Sequence, residues 1–288
     1  MTARLPVVVT TEWLAAKLGT PGLRVVDGSW YLPGSGRDPA AEYAAGHIPG
    51  ALFFDIDASS DPSTPLPHML PTAARFAERM AGLGLSDSDH IVVYDDSGLN
   101  LSAPRVWWTF RTFGHDRVSV LDGGTGKWRR EHRPLEQGII TLPPGRFTAR
   151  PDRAAVRDLA SVRANIHQRG EQLVDTRSAG RFAGLEPEPR PGLRGGHVPG
   201  SVNLPFNELV RPDGTILPPE ELRRRLVEAG IDLSRPVVAT CGSGTSACAL
   251  VLSLHLIGHT QTAVYDGAWA EWGGRADTPV EAQPIPQG

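Results

Sequence analysis

Cysteine is nearly missing from this chain: Cys241 and Cys248 are the two in 288 residues. Two are too few for a disulfide framework, and they lack the paired spacing of a zinc site, so neither cross-links nor metal is expected. Long apolar runs are missing as well. None approaches the roughly 20 residues that span a bilayer, and the N-terminus lacks a basic region followed by an apolar core and cleavage site. The expectation is a cytoplasmic protein with no membrane partner. Basic residues are scattered rather than massed, and the net charge is −3, which argues against a nucleic-acid partner. What remains is a soluble globular chain, 40% hydrophobic, long enough for one large domain or two ordinary ones.

The most informative stretch is Pro236 to Leu250, PVVATCGSGTSACAL. A short apolar run leads into Cys241, small polar residues follow from Gly242 to Ser246, and an apolar segment opens at Ala247. This reads as strand, tight loop and helix. Loop N–H groups, with the unpaired N–H groups of the helix start, can form a cradle for an anion. A cysteine at its mouth is expected to be a nucleophilic thiolate, favoured by the positive backbone potential. The competing reading is a buried cysteine before a glycine-rich turn. Cys248, on the apolar face of the helix, reads as core packing.

Much of the chain occurs twice. LRVVD at Leu23 and GHIPGALFFDID at Gly46 are answered by QLVD at Gln172 and GHVPGSVNLPF at Gly196. HIVVYDDSG at His90 matches PVVATCGSG at Pro236, and VSVLDGGTGKW at Val118 matches TAVYDGAWAEW at Thr262. This is a duplicated α/β unit. Short strands alternate with helical patterns such as Ala73 to Leu83 and Glu220 to Ala229, so each half is expected to be a doubly wound, mainly parallel sheet flanked by helices. The expected divisions are a first domain at 1–135, a linker at 136–154, a second domain at 155–280 and a tail at 281–288. The linker is rich in Pro and Gly, and the chain from Ala276 reads as loose. Alignment of the halves sets Asp96 opposite Cys241, so the first half is expected to be inactive and Asp96 structural.

The chain resembles the tandem-domain rhodanese family of sulfurtransferases from about Val7 to Trp272. The resemblance rests on GHIPGALFFDID, PRVWWTFRTFGH at Pro104, GRFAGLEPEPR at Gly180, GHVPGSVNLPF, ATCGSGTSACAL and YDGAWAEW. It implies two rhodanese domains, an inactive first and a catalytic second, with Cys241 carrying sulfur as a persulfide. The family has a thiosulfate branch, with basic residues directly after the cysteine, and a 3-mercaptopyruvate branch whose loop usually reads CGSGVTA. Gly242, Ser243 and Gly244 match the second; Thr245 and Ser246 stand where it has Val and Thr.

The resemblance implies that Arg181 and Arg190 bind the donor's carboxylate and keto oxygen, a task suited to a planar guanidinium. Taken alone, each would more often be a solvated surface arginine. Gly242, Gly244, Thr245 and Ser246 are expected to line the donor site. Ser243, His68 and Asp57 correspond to a proposed relay that protonates the departing enolate. Because Asp57 and His68 fall in the first half, the expected active site is a cleft between domains. Their alternative is a capped turn, with Asp57 on the backbone and His68 at the surface. The implied partners are a small-molecule sulfur donor and a thiol or cyanide acceptor, thioredoxin among the thiols, with no metal or organic cofactor. A cysteine phosphatase or arsenate reductase is disfavoured, because its loop needs an arginine and Gly242 to Ala247 holds none. A non-catalytic binding module suits the first half alone.

Overall fold

The β-branched runs become strands, and every pair of strands in the two sheets is parallel. The computed structural model describes residues 5–282. Two units are present. One is built from the chain up to Ser63, from Leu70–Asp152 and from Val210–Ile216; the other from Thr64–Met69, Arg153–Leu209 and the chain from Leu217 onward.

In the first unit β1 (Val8–Val9), α1 (Thr11–Lys17), β2 (Leu23–Asp27), α2 (Pro39–Ala45) and β3 (Ala51–Phe53) are followed by α3 (Ala73–Gly82), β4 (His90–Tyr94), α4 (Ala103–Thr112), β5 (Val118–Leu121) and α5 (Gly124–Arg130). The sheet order is β1-β5-β4-β2-β3. The second unit repeats it with β6 (Val156–Arg157), α6 (Leu159–Gln168), β7 (Gln172–Asp175), α7 (Ala179–Ala183), β8 (Val202–Asn203), α8 (Pro219–Glu228), β9 (Val237–Thr240), α9 (Ala247–Leu256), β10 (Thr262–Tyr265) and α10 (Ala268–Trp272). Its order, β6-β10-β9-β7-β8, is the same position for position.

Central strands β4 and β9 are buried along their whole length, as parallel strands covered on both faces must be. Helix α3 is amphipathic instead. Its Phe76 and Met80, four residues apart, face the core, and the Thr72 hydroxyl accepts from Arg75 N to cap its start. Helix α9 is buried on almost every side from Ala247 to Leu254, so it is a core helix. Cys248 lies on it, fully buried, its Sγ on the Gly244 carbonyl at 3.3 Å.

Three expectations are refined. The sheet register pairs Asp27 with Tyr94 and Asp175 with Thr240, so the residue after Tyr94, Asp95, is the counterpart of Cys241. Asp96 is one place further along. Equivalent hydrogen bonds agree: Thr125 N donates to Asp95 O, and Trp269 N to Cys241 O. Asp96 does have a structural role, pairing with Arg129 at 2.6 Å. The Pro-rich stretch after α5 holds no helix up to Asp152, but it is pinned to the first unit. Gly145 N, Arg150 N and Asp152 N donate to Ala81, Phe113 and Thr112 carbonyls, and Phe147 is buried edge-on against Phe76.

The chain from Ala276 is fastened rather than loose. Thr278 is buried, Trp272 Nε1 donates to Pro279 O, and Glu281 bridges to His197. The reason is the duplication itself, since Trp128 Nε1 donates to Pro134 O and Glu136 bridges to His47 in the first unit. Of the expected tail, residues 283–288 lie outside the described residues.

His90, at the start of β4, is buried with Nε2 on the Ser119 hydroxyl at 2.8 Å. Burial, helped by Arg117 and His115, pushes its imidazole down to about 4. A depressed histidine adds stability that is complete above the unfolded value and is lost as pH falls toward the folded one. Between pH 7.5 and pH 5 the protein should therefore lose about 1 to 2 kcal/mol more than a His90→Gln variant. Urea unfolding at the two pH values measures the difference, and equal losses would contradict it.

Candidate active site

Strands β7 and β9 are neighbours, so the turns after Asp175 and Thr240 leave the sheet side by side at its carboxyl edge. Parallel α/β sheets place ligands at that edge. The β9 turn starts at Cys241, 2% exposed, and runs through Ser246 into α9. Trp269 N and Ala270 N, from the start of α10, hold the carbonyls of Cys241 and Gly242 at 2.9 Å. Gly244 has φ +76°, a left-handed conformation that an L side chain resists. Ser246 Oγ lies 3.1 Å from Thr176 Oγ1, which ties the loop to the neighbouring turn. Among the described residues, the N–H groups of Gly242, Ser243, Thr245 and Ser246 donate to no protein acceptor. These are the donors that an anion would engage.

Arg181, on α7, reaches this loop. A side chain built on Gly242 would stand 2.9 Å from Arg181 Nη2, so the guanidinium occupies the space glycine leaves. Arg181 is held there by Glu188, whose Oε2 takes Nη2 at 2.5 Å. The other Glu188 oxygen takes Arg177 Nη1 at 2.6 Å. Arg177 is fully buried, paired with Asp175 at the end of β7, bonded to Gly196 O and stacked on Trp269 at 4.3 Å. Pro187 and Pro189 flank Glu188 and restrict its backbone. Arg190 is half-buried in the same loop.

His68 belongs to this second unit, in the segment Thr64–Met69. It is 3% exposed, so the surface alternative does not hold. Its φ is +62°, a strain of order 1 to 2 kcal/mol for a residue with a Cβ. Nδ1 stands 3.0 Å from Ser243 Oγ, 3.0 Å from Thr245 Oγ1 and 3.3 Å from the Ser243 carbonyl. Asp57 lies in the first unit, where Trp30 Nε1 donates to its Oδ2 at 3.3 Å. The second unit thus brings together Cys241, Gly242, Ser243, Gly244, Thr245, Ser246, Arg181 and His68.

Sequence reasoning missed Arg177, Asp175, Glu188 and Trp269. The available signal was Asp175 at the end of a buried strand with Arg177 two residues on, since a charge there must be matched by its opposite. The first unit shows the contrast. Ser29 stands at the place of Arg177, its N–H on Asp27 as Arg177 N is on Asp175. Without that cation, burial pushes the Asp27 carboxyl up to about 6, with Asp95 adding to it.

Two parallel five-stranded α/β units, with a cysteine loop at the carboxyl edge of the second, define a tandem rhodanese fold. The chain belongs to the rhodanese family: a rhodanese-like domain matches residues 10–131 and again 158–275. It is 47% identical to the 3-mercaptopyruvate sulfurtransferase of Mus musculus over 93% of this chain and 92% of that protein. It is also 44% identical to the thiosulfate sulfurtransferase of Cricetulus griseus, over 92% of this chain and 91% of that one. The crystal structure of SseA from Escherichia coli, described as a 3-mercaptopyruvate sulfotransferase, matches with a TM-score of 0.85 at 40% identity, covering 92% of this chain and 99% of SseA. No helix among the described residues is long and apolar enough to cross a membrane.

Glu188 separates two kinds of ion pair. Its side chain and that of Arg177 are buried, whereas Arg181 is 17% exposed. Glu188→Ala leaves a buried guanidinium short of a partner and should lower unfolding free energy by roughly 3 kcal/mol. Arg181→Ala should cost about 1 kcal/mol or less. Urea denaturation compares them, and equal costs would contradict the assignment.

Proposed function

We propose that this protein is a sulfurtransferase that takes the sulfur of 3-mercaptopyruvate onto Cys241 and passes it to a thiol or cyanide. The observation that carries the reading is that the cysteine loop from Gly242 to Ser246 holds no cation of its own, and that the Arg181 guanidinium reaches Gly242 from the neighbouring α7. A compact dianion such as thiosulfate benefits from cations next to the sulfur. A longer donor, with thiol at one end and carboxylate at the other, suits a clamp on a neighbouring loop. Thiosulfate is the second reading, because a relative of similar identity is named for it.

In the proposed reaction the Cys241 thiolate attacks the donor sulfur. An S–S bond forms, the C–S bond breaks, and its electron pair leaves in the enolate of pyruvate. Arg181 and Arg190 hold the carboxylate and keto oxygen, and N–H groups of Gly242, Ser243, Thr245 and Ser246 face the anion. Ser243 supplies the proton that converts enolate to pyruvate and is reprotonated from His68. Asp57 enters this relay through the family resemblance. The acceptor thiol then attacks the outer sulfur of the persulfide and regenerates the thiolate. Thioredoxin as acceptor and a cytoplasmic setting belong to the same reading.

Intact-mass measurement after donor treatment should show one added sulfur on the Cys241 peptide, absent in Cys241→Ser. With a common acceptor and pH, kcat/KM for 3-mercaptopyruvate should exceed that for thiosulfate by about tenfold or more, equivalent to roughly 1.4 kcal/mol. Sulfur on Cys248 alone would end the carrier assignment. Parity between donors would favour thiosulfate.

The clamp makes a separate prediction. Arg181→Ala and Arg190→Ala should each lower kcat/KM by about thirty- to hundredfold, mainly through KM, with lysine restoring only part because it lacks the planar fork. Steady-state kinetics on the four variants decide it, and unchanged constants in both alanine variants would return these arginines to the surface.

A further inference from the structure

Three oxygens surround His68 Nδ1: Ser243 Oγ and Thr245 Oγ1, both at 3.0 Å, and the Ser243 carbonyl at 3.3 Å. A carbonyl can only accept, so the nitrogen facing it carries the hydrogen. Both hydroxyls then accept from the same N–H. Their own protons are committed elsewhere to nothing, for among the described residues neither hydroxyl has another partner. Both side chains are buried, Ser243 at 4% exposure and Thr245 at 2%. An unsatisfied buried O–H is costly, and a bound substrate is the acceptor available at the mouth of this loop. The second hydroxyl is a particular feature of this chain, because the family loop has Val where Thr245 stands.

We infer that Thr245 is a second proton donor to the departing enolate, fed by the same imidazole as Ser243 and working in parallel with it. The inference rests on the sulfur-transfer reading above. The step balances without any further reactant. The His68 imidazole passes its Nδ1 proton to one hydroxyl oxygen while that hydroxyl gives its own proton to the enolate carbon. Pyruvate leaves, and a proton from solvent restores the imidazole. With Val at 245, one route would exist; with Thr there are two.

Parallel routes have a kinetic signature that one route lacks. With 3-mercaptopyruvate, Ser243→Ala should keep about a tenth of kcat and Thr245→Val most of it, while the double variant should fall a further hundredfold or so, within the usual range for general-acid loss. Thr245→Ser in the Ser243→Ala background should retain the remaining tenth. Thiosulfate turnover should show no such synergy, since sulfite leaves as a stable anion. A Ser243→Ala enzyme already as slow as the double variant, or equal synergy with both donors, would overturn the second route while leaving sulfur transfer intact. A wild-type enzyme that forms no pyruvate would overturn both.

Discussion

Glu188 is the tie on which the site depends. One carboxylate holds two guanidiniums, Arg177 on the buried side and Arg181 on the open side, and Asp175 completes the row. Two acids and two bases alternate, so every buried charge has an opposite neighbour and no net charge is left in the interior. Only the outer end of Arg181 is free to meet something from solution. The row also fastens the loop after α7 to the end of β7 and, through the Arg177 stack on Trp269, to the helix that holds Cys241 O and Gly242 O.

The first unit has the same sheet and uses the equivalent loop in the opposite way. Asp95 takes the N–H groups of Ser102 and Ala103 on its own carboxylate, at 2.9 and 2.7 Å, and thereby closes the start of α4. A carboxylate at a helix start is worth about 1 kcal/mol of stability. In the second unit Cys241 replaces that acid, Ser246 makes no side-chain cap, and the loop N–H groups are left for a ligand. One copy thus satisfies its own backbone, and the other keeps donors open at the expense of stability. The difference between the first copy and the candidate active one is one of hydrogen-bond ownership as much as of a missing sulfur.

His68 shows a related exchange of stability for geometry. It is buried in a left-handed conformation, and its imidazole meets Ser243 and Thr245 equally. Strain of this kind persists only where neighbours over-determine the position. Here a single ring nitrogen is pinned by three oxygens of one loop, so backbone strain and hydrogen bonding offset one another locally.

The duplication, the strand-loop-helix around Cys241 and the parallel sheets were legible in the sequence, because each rests on local periodicity, turn chemistry or a repeated motif; the rhodanese fold came from the resemblance to the family's motifs. Placing Asp96 opposite Cys241 was a one-place slip between adjacent acids: HIVVYDDSG laid on PVVATCGSG sets Asp95 against Cys241, as the pairing of Tyr94 and Thr240 with their strands does. The fastening of residues after Ala276 was hidden for another reason, since Pro279 and Glu281 look like tail until Trp272 and His197 are brought to them. Arg177 and Glu188 lie 11 positions apart across a Pro-rich loop, and their bond carries no periodic signature. The sequence alone determined which residue types the site could hold. Which of them share a proton or a charge was decided by the tertiary structure, because hydrogen bonds and ion pairs depend on ångström distances between segments such as His68 and Thr245 that the order of residues does not encode.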